Sequence, residues 1–172
     1  MFYGFSFLIL IQVWSEYSST MTLLSVEAPG VRILNLFLLF LVSAEPFLFN
    51  LLTNPSVGIS AALADSASIL YALDIGAMHV ILALFSHSVA TERKESFPDE
   101  ARLYGSRRDS RALVAAMFAI STFPVFWTWM IPLGAIEFRT RFALWVLAPA
   151  VSLGYVTLTT RRRRQISTLG RT

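Results

Sequence analysis

Six ionisable side chains stand in stretches otherwise built from Leu, Phe, Ile, Val and Ala: Glu16, Glu45, Asp65, Asp74, His79 and His87. A charge in such surroundings is costly unless it is paired or wetted, so each is a candidate for function. Glu45 lies about two-thirds of the way along its apolar segment, next to Pro46. Pro46 has no N–H to donate and is expected to kink the helix. That frees carbonyls near Leu41 and Val42, which need other partners. Glu45 is thus a candidate cation ligand or proton carrier. Its structural alternative is a protonated carboxyl bonded to a neighbouring helix. Asp74 and His79 form the deep pair of the next segment. At 100° per residue, Asp65, His79 and His87 fall within about 80° of one another, while Asp74 points the opposite way. A proton relay wants its members on one face at every turn or two, and this stripe has a gap between Asp65 and His79. No His-x-x-x-His spacing occurs, and no metal site is expected. Glu16 ends the first segment within reach of Arg32, which predicts an ion pair at a membrane interface.

The elements that carry these groups are apolar helices. Of 172 residues, 55% are hydrophobic and 15% charged, against about 25% charged in a soluble domain. Five apolar segments stand out, at about 2–17, 33–52, 66–90, 112–131 and 142–160. Each approaches the roughly 20 residues that cross a bilayer core. The fold class expected is therefore all-α: a polytopic helical membrane protein with five transmembrane helices in one domain over 1–160. A basic tail follows at 161–172. The turns at 57–68 are expected at the membrane surface or in a tilted extension of the third helix. The stretch 91–111 reads as the one sizeable polar connector, partly helical around Asp99–Tyr104. Gly58, Gly76, Gly134 and Gly154 are candidate close-packing points between helices. Trp127, Trp129 and Trp145, with Phe123 and Phe126, read as an interfacial aromatic belt. Pro124, Pro132 and Pro149 are expected to bend or end helices.

Charge orients the arrangement. If the five segments alternate in direction, one side of the membrane receives only Arg139 and Arg141. The other receives twelve basic residues, among them Arg32, Arg93, Lys94, Arg111 and the run Arg161–Arg164. The basic side is cytoplasmic by the positive-inside rule. A multi-pass protein of the cell membrane follows, with its C-terminus inside and its N-terminus outside. The first segment has no basic residue before it and no small-x-small cleavage site after it, so it does not read as a signal peptide. The arginine run reads as a juxtamembrane anchor, with RNA or anionic lipid as the alternative; nucleic acid is not an expected partner. The chain has no Cys, which removes disulfides and thiolate sites. It also contains no nucleophile elbow, Walker loop, dinucleotide fingerprint or zinc-protease motif, and an enzyme is not expected.

"FSFLILIQVWSEY", a short loop and "RILNLFLLFLVSAEPFLFNLL" together resemble the second and third helices of the transmembrane protein 175 family of potassium channels, in its short prokaryotic form. Trp14, Asn35 and Pro46-Phe47 match family positions, and the layout is similar over nearly the whole chain. The family has six helices. Its hallmark first-helix motif, Arg-x-x-x-Phe-Ser-Asp, does not occur here, and Tyr17 stands where the family often has His. The resemblance implies a potassium channel subunit, assembled as a homotetramer in the lipid bilayer and conducting through an apolar constriction. Potassium is the transported species, and no cofactor is implied. It further implies a pore-lining leading helix that this sequence does not show, which leaves open a conducting channel subunit and a non-conducting form. The roles that transfer are scaffold roles: Trp14, Tyr17 and Asn35 buttress the first helix. An accessory membrane protein without transport activity is the alternative. A proton-coupled transporter using Glu45, Asp74 and His79 is a further one, weakened by the lack of an inverted repeat.

Overall fold

The structure, a computed structural model, describes residues 2–24, 28–53, 61–133 and 136–169. Its elements in chain order are α1 (Phe2–Met21), α2 (Pro29–Thr53), α3 (Ala61–Glu92), α4 (Pro98–Ser121), the single turn α5 (Val125–Thr128), β1 (Met130–Leu133), β2 (Ile136–Arg139) and α6 (Thr140–Leu169). The all-helical expectation holds, with one small antiparallel hairpin added: Leu133 pairs with Ile136 and Met130 with Arg139.

α3 forms the centre. Tyr71, Ile75, Met78, Leu82, Phe85 and Val89 recur at alternating four- and three-residue steps, and all are buried. That spacing keeps one seam of a helix facing inward. Around α3 the long helices run up and down. Tyr17 meets Asn35, and Ser6 meets Glu45, so α1 and α2 are antiparallel. Phe49 of α2 meets Tyr71, while Phe85 meets Tyr17, which bonds Asn35 of α2, so α2 is antiparallel to α3. His79 stacks on Phe118 and His87 approaches Arg108, placing α4 antiparallel to α3. Ser110 meets Ser152 and Ser121 meets Trp145, which does the same for α6 on α4. Gly76 marks the close approach of α3 and α4: a Cβ there would sit 3.6 Å from the Cβ of Phe118 and 3.7 Å from the carbonyl oxygen of Ala115. Gly154 has open space beside it and is not a packing point. Gly58 and Gly134 lie outside the described residues.

Several boundaries depart from the sequence reading. α4 begins at Pro98, whose ring is pre-set for a first helical position, with Asp99 and Glu100 in the positive first turn. It therefore absorbs most of the expected polar connector, leaving 93–97 between helices. It stops at Ser121, short of the expected 131, because Pro124 cannot continue it. At the other end α6 runs on through Arg161–Arg164 to Leu169, where a separate tail was expected. The turn between the fourth and fifth segments is the hairpin.

Among the described residues, two helices are long and apolar enough to cross a membrane, α2 and α3. The expectation of five is not carried by length and composition. The apolar part of α4, Ala112–Ser121, spans only roughly 15 Å, about half a hydrocarbon core. The two candidates differ in setting. The apolar window of α3 is 67% buried, that of α2 only 17%. α2 presents Ile33, Leu36, Phe37 and Phe40 outward, and α1 presents Phe7, Leu8 and Ile11. Contiguous apolar surface of this kind meets lipid or a partner.

Candidate functional site

Two polar constellations lie inside the bundle. The first joins α1, α2 and α3. Ser6 Oγ donates a short hydrogen bond to Glu45 Oε1, and Glu45 is completely buried. One turn along α2, Phe49 packs on the ring of Tyr71, with centroids 5.7 Å apart. Tyr71 is also completely buried; its hydroxyl turns toward Glu45 and Ser6 without closing a hydrogen bond of regular geometry. Asp74, three residues further on the same face of α3, is buried and senses the Glu45 charge. Glu45 Oε2, Tyr71 Oη and Asp74 Oδ2 all lack a hydrogen-bond partner among the described residues. An open groove of ≈ 480 Å³ between α1 and α2 reaches Ser6 and Glu45, with Phe7, Leu10, Pro46 and Phe49 among its walls. Pro46 sits inside α2, and the helix continues past it to Thr53.

The second constellation joins α1, α3 and α4. Arg111 Nη2 is ion-paired with Glu16 Oε1, and its Nη1 lies 3.5 Å from His79 Nδ1. Burial lowers the Arg111 guanidinium to about 10, which leaves it cationic at neutral pH. Nearby, Tyr104 Oη and Arg107 Nη1 both donate to Ser19, at 3.4 Å each. Glu16 therefore pairs with Arg111 rather than with Arg32, which is exposed. α4 enters at its polar end beside the end of α1, and no sequence pattern revealed that neighbour.

The deep pair of the sequence reading is split. Asp74 faces Glu45, while His79 faces Phe118 and Arg111 on the other side of α3. The opposite directions expected for them hold, and a relay through both is not assembled. Asp65 accepts from Arg139 Nη1 at 2.7 Å and from Arg141 Nη2 at 3.0 Å, tying the start of α3 to the hairpin and α6. Burial keeps the Arg141 guanidinium below its ordinary value, against the pull of Asp65.

Tyr17 meets both Asn35 and Trp14. Tyr17 Oη donates to Asn35 Oδ1 at 2.8 Å, and the Tyr17 ring lies 5.5 Å from Trp14 and 6.4 Å from Phe85. Trp14 itself is 60% exposed, on the outer side of the α1–α2 pair. Trp145, expected in an interfacial belt, is instead core: it is 4% exposed and donates Nε1–H to Ser121 Oγ at 2.8 Å. Trp129 and Phe123 are exposed, as a belt requires. No cluster of three His, Cys, Asp or Glu side chains exists among the described residues. Ser6, Tyr71 and Arg111 were not singled out by the sequence. Tyr71 had a readable signal, the i, i+3 spacing to Asp74; Ser6 and Arg111 had none. Comparisons with protein-family models, curated proteins and solved structures return no match.

Proposed function

We propose that the chain is a subunit of a potassium channel resembling the transmembrane protein 175 family, its helices forming a bundle in the cell membrane. The observation that carries this reading is the Tyr17–Asn35 hydrogen bond with Trp14 packed beside it. Three positions that the resemblance designates as one buttress come together on the α1–α2 pair. The outward Trp14 and the apolar faces of α1 and α2 offer a seat for another membrane helix. In this reading five long helices traverse the bilayer, α4 with the help of α5 and the hairpin. The basic ends of α4 and α6 lie in the cytoplasm. Copies assemble as a homotetramer around a shared pore, and an apolar constriction sieves partly dehydrated potassium.

The test is reconstitution into liposomes, with rubidium or thallium uptake measured against sodium and the assembly sized in lipid nanodiscs. Selective uptake by a tetramer is the expected result. A monomer without flux overturns the reading in favour of an accessory membrane protein. Glu45 and Asp74, both buried and with Asp74 in electrostatic reach of Glu45, favour a proton-coupled transporter as second reading. It predicts pH-dependent uptake lost in Glu45→Gln and in Asp74→Asn.

A further inference from the structure

We infer that Glu45, Asp74, Tyr71 and Ser6 form a binding site for a monovalent alkali cation, buried between α1, α2 and α3. Ser6 on α1, Glu45 on α2, and Tyr71 and Asp74 on α3 bring four oxygen-bearing side chains to the interior shared by these helices. Glu45 and Tyr71 are completely buried and Asp74 is 6% exposed. Ser6 is spent on Glu45 Oε1; Glu45 Oε2, Tyr71 Oη and Asp74 Oδ2 are left without partners among the described residues. Buried polar atoms are nearly always satisfied, so three orphans in one place call for a shared partner. Two of the three belong to carboxyl groups, which only accept when ionised, and the one O–H among them, on Tyr71, cannot serve both; a donor or a cation completes the set.

Charge narrows the choice. Two ionised carboxyls close together in apolar surroundings repel each other. One positive charge between them lowers that cost. The donor set of carboxylate, phenol and hydroxyl oxygens contains no nitrogen or sulfur. That suits a hard cation and not zinc or copper. Four side-chain oxygens fall short of the six to eight that calcium takes, and an alkali cation here would complete its shell with water from the groove. The groove along Ser6 and Glu45 supplies an approach from the α1–α2 side. The site stands apart from the channel reading, because it depends on no second copy and on no conduction.

The experiment is thermal unfolding of the full chain in lipid nanodiscs, followed by tryptophan fluorescence. Trp145, with its ring 5.3 Å from Tyr71, is a local reporter. Sodium, potassium and N-methyl-D-glucamine chlorides are compared at constant ionic strength and across pH. Sodium or potassium is expected to raise the Tm saturably by a few degrees over N-methyl-D-glucamine, as a ligand bound only by the folded state does. Glu45→Gln and Asp74→Asn are each expected to abolish that rise, and Tyr71→Phe to shift its midpoint to several-fold higher cation. Where a variant fails to fold, radioactive sodium binding to the wild type decides. One saturable equivalent per chain, displaced by unlabelled alkali cation, supports the site. Identical Tm values in all three salts, a response to pH alone, or an undiminished response in Glu45→Gln would overturn it. Flux is scored separately, so a non-conducting protein that binds sodium fails the channel reading and keeps this one.

Discussion

Replacing Glu16 by Gln removes the negative charge paired with the buried Arg111 guanidinium, which otherwise approaches His79 Nδ1. Taking one partner from a buried pair costs more than taking both, because the remaining charge has no compensation. Glu16→Gln is therefore expected to lose about 2–3 kcal/mol, read from denaturant or thermal unfolding in nanodiscs. Glu16→Gln combined with Arg111→Met is expected to recover a good part of that loss, and a double-mutant cycle measures how much. Tyr17→Phe removes a single neutral hydrogen bond that is only partly buried, so its cost is smaller, about 1 kcal/mol. At this scale the sequence showed which groups were out of place and not what they faced. Glu45 was conspicuous as a carboxylate in a Leu/Phe run. That Ser6 answers it depends on the antiparallel pairing of α1 with α2, which no local pattern encodes.

Packing of α3 on α4 turns on one residue. At Gly76 an added methyl group meets its neighbours at ordinary contact distance. Gly76→Ala is expected to be neutral or stabilising by up to about 1 kcal/mol, since Ala is the better helix former. Gly76→Leu must push Phe118 aside and is expected to cost about 1–3 kcal/mol; the pair of Tm values checks both signs. Helix existence was legible from the apolar runs, and helix ends were not. α4 could not be bounded from hydropathy, since its first half is charged and its helicity comes from Pro98, the acidic first turn and the seam Tyr104, Arg111, Ala115, Phe118. The hairpin was passed over because Met130–Arg139 carries only four residues a side. Its signal, Gly134-Ala135 between short runs rich in Ile, Leu and Phe, was there to be read. Trp145 was misplaced by composition, which counts an aromatic near a helix end as interfacial. Its indole has Ser121 within reach and no need of a headgroup.

For the molecule as a whole, the up-and-down course of the helices sends 93–97 to one end of the bundle and the α5–hairpin segment to the other. The lack of any native Cys makes single-cysteine labelling clean. Glu95→Cys is expected to react with an impermeant maleimide only after the cells are opened, and Thr128→Cys in intact cells. Reaction of both from the same side would overturn the orientation proposed here. α3 also has a length of its own to reckon with. From Asp65, pinned by two arginines, to Arg93, paired with Glu100, it runs roughly 42 Å at 1.5 Å per residue. A hydrocarbon slab is about 30 Å deep. On the membrane reading proposed above, a helix longer than the slab leans in a thin bilayer and straightens in a thick one. Bilayer thickness would then act on the tilt of the helix that carries Tyr71 and Asp74.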